Sequence, residues 1–173
     1  MLFFICYIIR QWRGNMDPVL IVLRGNAVTG KTSVASALQE RLGTTNVMLV
    51  QQDITEKHID TQIPMIQKLV NYGKKHFHYV ILDGILPKEV YGEMLHSFIE
   101  DFGSQQLVYY FNDSFEQTLK HNEQKIQPYD IDKLKSWWTD SDILSVEDIK
   151  LENGEIEEYT NQIIDDINDL PLF

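Results

Sequence analysis

Apolar residues in this chain alternate between short continuous blocks and longer stretches spaced every three or four residues. The blocks are Val19-Leu20-Ile21-Val22-Leu23, Val47-Met48-Leu49-Val50, Val80-Ile81-Leu82 and Leu107 to Phe111. Such short aliphatic and aromatic runs suit strands buried on both faces. Between them, apolar residues recur at helical spacing: Val34, Leu38 and Leu42, then Ile63, Ile66 and Val70, then Val90, Met94, Phe98 and Phe102. Gly43 is placed as a C-cap of the first helix. Pro64 predicts the start of the second and Gly73 helps close it, while Pro87 and Gly103 bracket the third. Ser114 and Gln117 have the spacing of a capping box for a fourth helix, which Pro128 is expected to break. Ile131, Leu134 and Trp138 predict a short helix, Val146 to Leu151 a weaker fifth strand, and Ile156, Tyr159, Ile163 and Ile167 a closing helix. Strands alternating with helices predict one three-layer α/β domain built on a mostly parallel sheet.

A chain of 173 residues suits one such domain. Met1 to Ile9 is apolar but far short of the roughly 20 residues that span a bilayer. It also lacks a preceding basic region and a small-residue cleavage site, so neither stable membrane insertion nor a signal peptide is expected. The folded domain is expected to occupy residues 16–173, with residues 1–15 a disordered arm or a start-site artefact, and a peripheral membrane anchor as the alternative. A single cysteine, Cys6, excludes an internal disulfide framework and a multi-cysteine zinc site, which favours a cytoplasmic location.

The net charge of -11 is unevenly spread. Residues 1–86 carry nine Lys/Arg against six Asp/Glu, and residues 87–173 carry six against twenty. So acidic a second half argues against a nucleic-acid partner. Nothing in the sequence points to a protein partner.

The basic excess lies in the half that holds Gly25-Asn26-Ala27-Val28-Thr29-Gly30-Lys31-Thr32, which reads G-x-x-x-x-G-K-[ST] between a predicted strand and a predicted helix. Glycines at both ends let the backbone curl so that its N–H groups face phosphate oxygens. The following helix, opening through Lys31, Thr32 and Ser33, aims its unsatisfied N–H groups at the same anion. Lys31 supplies a compact charge for the β- and γ-phosphates, and the Thr32 hydroxyl suits Mg²⁺.

Two acids stand at strand ends, the edge where ligands of open α/β sheets bind. Asp53 is placed to deprotonate a hydroxyl acceptor or to hold Mg²⁺ through water, with a solvated loop carboxylate or helix cap as the bland alternative. Asp83 ends its strand in the manner of a Walker B acid, orienting metal or substrate, against a simple Asp-Gly turn. The weaker candidates are Trp137-Trp138, Tyr72 and Tyr91, each of which fits packing as well as ligand contact. His76 and His78 form an H-x-H with no further Cys/His cluster near them in sequence.

Leu23-Arg24-Gly25-Asn26, Gly30-Lys31-Thr32, Gln52-Asp53, Ile81 to Leu86, and Tyr109-Tyr110-Phe111 with Ser114 to Leu119 resemble small P-loop kinases of the nucleoside-monophosphate-kinase-related branch. The likeness is to uncharacterised bacterial kinase-like proteins and, more distantly, to chloramphenicol phosphotransferase, gluconate kinase and zeta toxins. It runs from Asp17 to about Ile167. It implies a P-loop NTPase fold with a five-stranded parallel sheet and a small helical lid. It also implies ATP with Mg²⁺, and Asp53 as the general base for an unidentified small-molecule acceptor. The adenine contact would fall near Glu152-Asn153-Gly154.

Two departures stand out. Val28 occupies a position where relatives have glycine, which is expected to narrow acceptor access or shift the loop. Relatives also place arginines in the lid, whereas this sequence has none after Arg41. Lys120 matches a family arginine position best, with Lys125, Lys133 and Lys135 as other substitutes. A kinase of modest turnover, a nucleotide-binding protein with little phosphotransfer, and a simple NTP hydrolase are the readings that remain.

Overall fold

Residues 17–54, 59–152 and 154–171 are described by a computed structural model, so the expectation for residues 1–15 lies outside them. Five strands are present among these residues: β1 (Val19–Gly25), β2 (Val47–Gln51), β3 (Tyr79–Asp83), β4 (Gln106–Phe111) and β5 (Ile149–Leu151). They form one sheet in the order β2-β3-β1-β4-β5, and every pairing is parallel. The helices are α1 (Lys31–Leu42), α2 (Ile59–His76), α3 (Lys88–Phe102), α4 (Phe115–Glu123), α5 (Ile131–Trp137) and α6 (Ile156–Asn168).

The alternation of side chains along each strand divides the apolar residues between two cores. Leu20, Val22, Val80, Leu82 and Val108 face one side, where they meet Ile66 and Val70 of α2 and Met94, Leu95 and Phe98 of α3. Ile21, Leu23, Ile81, Tyr109 and Phe111 face the other side and meet Val34 and Leu38 of α1 and Tyr159 and Ile163 of α6. The result is the expected three-layer α/β architecture, with β1 central and the C-terminal ends of β1, β2, β3 and β4 brought to one edge.

Several local expectations needed correction. Helix α2 begins at Ile59, five residues before Pro64, which sits inside it at the cost of one backbone bond. Gly73 does not close that helix, which runs on to His76. A Cβ at residue 73 would lie 2.8 Å from Val80 Cγ2 and 3.1 Å from Met48, so this glycine lets α2 approach β2 and β3. Helix α4 has its Ser114–Gln117 capping box but ends at Glu123, well before Pro128. Strand β5 is shorter than expected, and Val146 is fully exposed ahead of it. Lys88–Phe102 matches its prediction, with Pro87 and Gly103 at its ends.

Candidate active site

Strand β1 runs directly into the turn at Gly25, and α1 begins at Lys31. Gly25 has a φ of 139° and pairs with Phe111 of β4. A Cβ there would fall 2.6 Å from the Phe111 carbonyl oxygen, so the chain turns off the sheet only at glycine. Val28, at the tip of the loop, has a φ of 64°. That left-handed conformation is costly for a β-branched residue, by about 1–2 kcal/mol, and such strain collects at functional sites. The substitution noted in the sequence thus falls on a strained backbone position.

Lys31 is 6% exposed, and its ammonium donates to the Asn26 carbonyl at 2.5 Å and to Thr29 Oγ1 at 3.1 Å. Burial pushes its pKa down to about 8, against the opposing pull of Asp83 and Asp113. Thr32 Oγ1 donates to Asp83 Oδ2 at 2.8 Å, which joins the start of α1 to the end of β3. Asp83 is 4% exposed and its Oδ1 has no hydrogen-bond partner. Desolvation raises its pKa, with the Thr32 hydroxyl and Lys31 ammonium partly offsetting. An orphaned buried carboxylate oxygen beside a hydroxyl and an ammonium is costly as it stands and fits a hard cation with an anion.

These groups open on a cavity of about 600 Å³. The loop residues Ala27 to Thr32 and Ser33 line it, as do Gln52, Asp53 and Asp83. Asp53 follows β2 in a short 3₁₀ turn and is exposed. Behind it, Gln52 Nε2 donates to the Tyr91 hydroxyl at 3.1 Å, and Gln52 Oε1 accepts from Leu86 N at 3.0 Å. Tyr91 in turn donates to Gln62 Oε1 at 2.7 Å, so that ring supports the pocket wall from within the core. Tyr72 is exposed and stacks on His76 instead.

The lid between β4 and β5 contributes His121, Gln124, Lys125, Tyr129 and Trp137 to the lining. Lys120 is not brought there. It lies on the exposed side of α4 and pairs with Glu116 at 2.9 Å. Trp138 packs edge-on against Phe115, so the two adjacent tryptophans have different surroundings. Gly154 also lines the cavity, whereas Asn153 lies outside the described residues. No group of three or more His, Cys, Asp or Glu side chains is placed to hold a metal among the described residues. No helix among them is long and apolar enough to cross a membrane.

Sequence reasoning missed two features of the site. Asp113, just past the end of β4, is 8% exposed and lines the cavity. Burial raises its pKa, while His121, at 3.7 Å, and Lys31 lower it. Its position at the C-terminal end of a strand next to β1 was the available signal. The second is Arg24, quoted only within a motif. Its side chain is fully buried and donates to Asp142 at 2.7 Å, Asp148 at 3.2 Å and the Leu86 carbonyl at 3.2 Å. No local pattern marks an arginine whose two carboxylate partners lie more than a hundred residues away.

No protein-family model matches the chain, and no curated protein matches it by sequence. Its fold, however, is shared with solved kinases. The APS kinase of Mycobacterium tuberculosis, in complex with AMPPNP and APS, superposes with a TM-score of 0.66 at 14% identity, covering 89% of this chain and 99% of that one. A gluconokinase from Sinorhizobium meliloti 1021 gives 0.63 at 13% identity, with 88% and 93% covered. The shikimate kinase of Aquifex aeolicus gives 0.55 at 18% identity, with 87% and 96% covered. At these identities the likeness shows the fold alone, the five-stranded parallel α/β fold that the resemblance implied.

Proposed function

We propose that this protein is an ATP- and Mg²⁺-dependent phosphotransferase acting on a small hydroxylated or phosphorylated metabolite. The observation that carries this reading is the pair of buried charged groups, Lys31 and Asp83, joined by the Thr32–Asp83 hydrogen bond and opening on the same cavity as Asp53. The small-molecule kinases that share the fold support it.

The triphosphate would lie in the loop formed by Gly25 to Thr32, with the N-terminus of α1 and its Ser33 beneath it. Lys31 would leave the Asn26 carbonyl for the β- and γ-phosphate oxygens, which restore the full charge that burial disfavours. Thr32 and Asp83 would hold Mg²⁺, which would offset the charge on the phosphoryl oxygens. The Asp53 carboxylate would take the proton from an acceptor hydroxyl. That oxygen would then bond to the γ-phosphorus as the bond to the β–γ bridging oxygen breaks, its electron pair leaving on ADP. Lys125 lines the cavity and is better placed than Lys120 to neutralise the transferring group. A lysine offers a point charge where arginine offers a planar fork, so a modest turnover is expected.

Acceptor-dependent ADP release across a metabolite panel tests this reading. Lys31→Ala should abolish transfer, and Asp53→Asn should lower it by about 10²–10⁴-fold. Full transfer by Asp53→Asn would remove the general base from the account. A second reading, a nucleotide-binding regulatory protein with little phosphotransfer, rests on the absence of arginine after Arg41. Tight ATP binding by calorimetry with no transfer to any acceptor would favour it.

A further inference from the structure

Two sets of contacts tie the end of the lid to β1 and the phosphate loop. The first is ionic and buried. Arg24 holds both Asp142 and Asp148, and Asp148 also accepts from Leu144 N at 2.8 Å and Ser145 N at 3.1 Å. Asp142 accepts from Lys88 N at 3.0 Å, and Leu144 is buried in the core. Asp142, Leu144 and Asp148 therefore fix this stretch to the body of the domain.

The second set is neutral and lies at the loop itself. Asn26 Nδ2 donates to the Thr139 carbonyl at 2.8 Å, and Thr139 N donates to Asn26 Oδ1 at 3.0 Å. The side-chain amide thus pairs reciprocally with the backbone N–H and C=O of one residue, two residues beyond Trp137 of the cavity wall. The Asn26 backbone has a separate task. Its carbonyl accepts from Lys31 Nζ and from Thr29 Oγ1 at 3.0 Å. Because the carbonyl takes no part in the Thr139 pair, a triphosphate could draw Lys31 away without breaking that pair.

We infer that Asn26 is a positioning residue whose side chain latches the end of α5 to the phosphate loop and so holds Trp137 against the cavity. Residues 142–148 are the fixed base of the lid and the Asn26–Thr139 pair is its releasable end. Only asparagine combines the donor, the acceptor and the reach for this pair. Aspartate lacks the donor, glutamine is a methylene longer, and alanine has neither group. The consequence for catalysis rests on the proposed function, but the latch itself does not.

The test uses the full chain carrying Trp12→Phe and Trp138→Phe, so that emission reports on Trp137. Asn26→Ala removes the latch from the loop side, and Thr139→Pro removes its N–H from the lid side. Without nucleotide, acrylamide quenching of Trp137 should rise about twofold or more in both variants, as expected for local opening. With ATP, Mg²⁺ and an accepted metabolite, Asn26→Ala should lower kcat about tenfold or more. KM for ATP should change less than twofold. Unchanged quenching in both variants, or a rise in only one of them, would overturn the latch. A rise in both with wild-type kcat would overturn the positioning role. If the parent chain phosphorylates no acceptor, the proposed function fails, and the quenching comparison still decides the latch.

Discussion

Lys31 sits where its charge costs stability. Its ordinary value of 10.5 falls to about 8 in the folded protein, so between these pH values the unfolded chain binds more protons. Stability contributed by this site therefore rises with pH across that window, and the penalty is fullest below pH 8. Lys31→Met should accordingly unfold at higher urea than the parent at pH 7, by up to about 3 kcal/mol. The gap should close between pH 8 and pH 10.5, and nucleotide binding should be lost. A variant less stable than the parent at pH 7 would show that the ammonium is not penalised. Val28 makes the same point through the backbone. Relieving its positive φ with Val28→Gly should raise the unfolding free energy by about 1 kcal/mol, net of the added chain entropy. An unchanged or lower midpoint would count against strain at the loop tip. Residue identities at this scale were legible from sequence wherever one short motif held them, as for Gly25, Lys31 and Thr32. Arg24 was not, because its carboxylate partners come from distant parts of the chain, and Asp113 was marked only by its place just past a strand next to β1.

At the scale of elements, β1 does more than deliver the phosphate loop. Its last side chain, Arg24, anchors the segment between α5 and β5 through two carboxylates in a buried setting. Removing one partner of such a pair leaves an uncompensated buried charge, at about 3–5 kcal/mol. Arg24→Ala should show a loss of that size in chemical denaturation. Arg24→Lys should recover less than half of it, because a single ammonium cannot address three acceptors from a fixed plane. Equal stability of Arg24→Lys and the parent would mean that charge alone carries the contact. Strands and most helices were legible because their apolar periodicity is local. The errors fell where tertiary packing overrode a local cue. Gly73 admits a sheet at close range and does not end its helix, and Pro64 is tolerated inside α2.

The whole molecule joins a parallel sheet, whose order brings four strand ends together, to a lid tied back onto the central strand. Alternating strands and helices made the architecture legible, and the loop motif marked the turn between β1 and α1. The lid was harder to read. The family resemblance pointed to Lys120, on the exposed side of α4, whereas the fold brings Lys125, beyond the end of that helix, to the lining. The acceptor was not legible, since its pocket is assembled from side chains of separate elements and a fold does not fix a substrate.

The central claim is that Lys31, Thr32, Asp83 and Asp53 form one site that moves a phosphoryl group to an acceptor. It is tested most directly by following γ-phosphate from labelled ATP into a metabolite panel with the parent chain and with Asp53→Asn. The account predicts acceptor-dependent transfer by the parent and a loss of about 10²–10⁴-fold in Asp53→Asn, with ATP binding retained. Tight ATP binding by the parent without transfer to any acceptor, or undiminished transfer by Asp53→Asn, would contradict it.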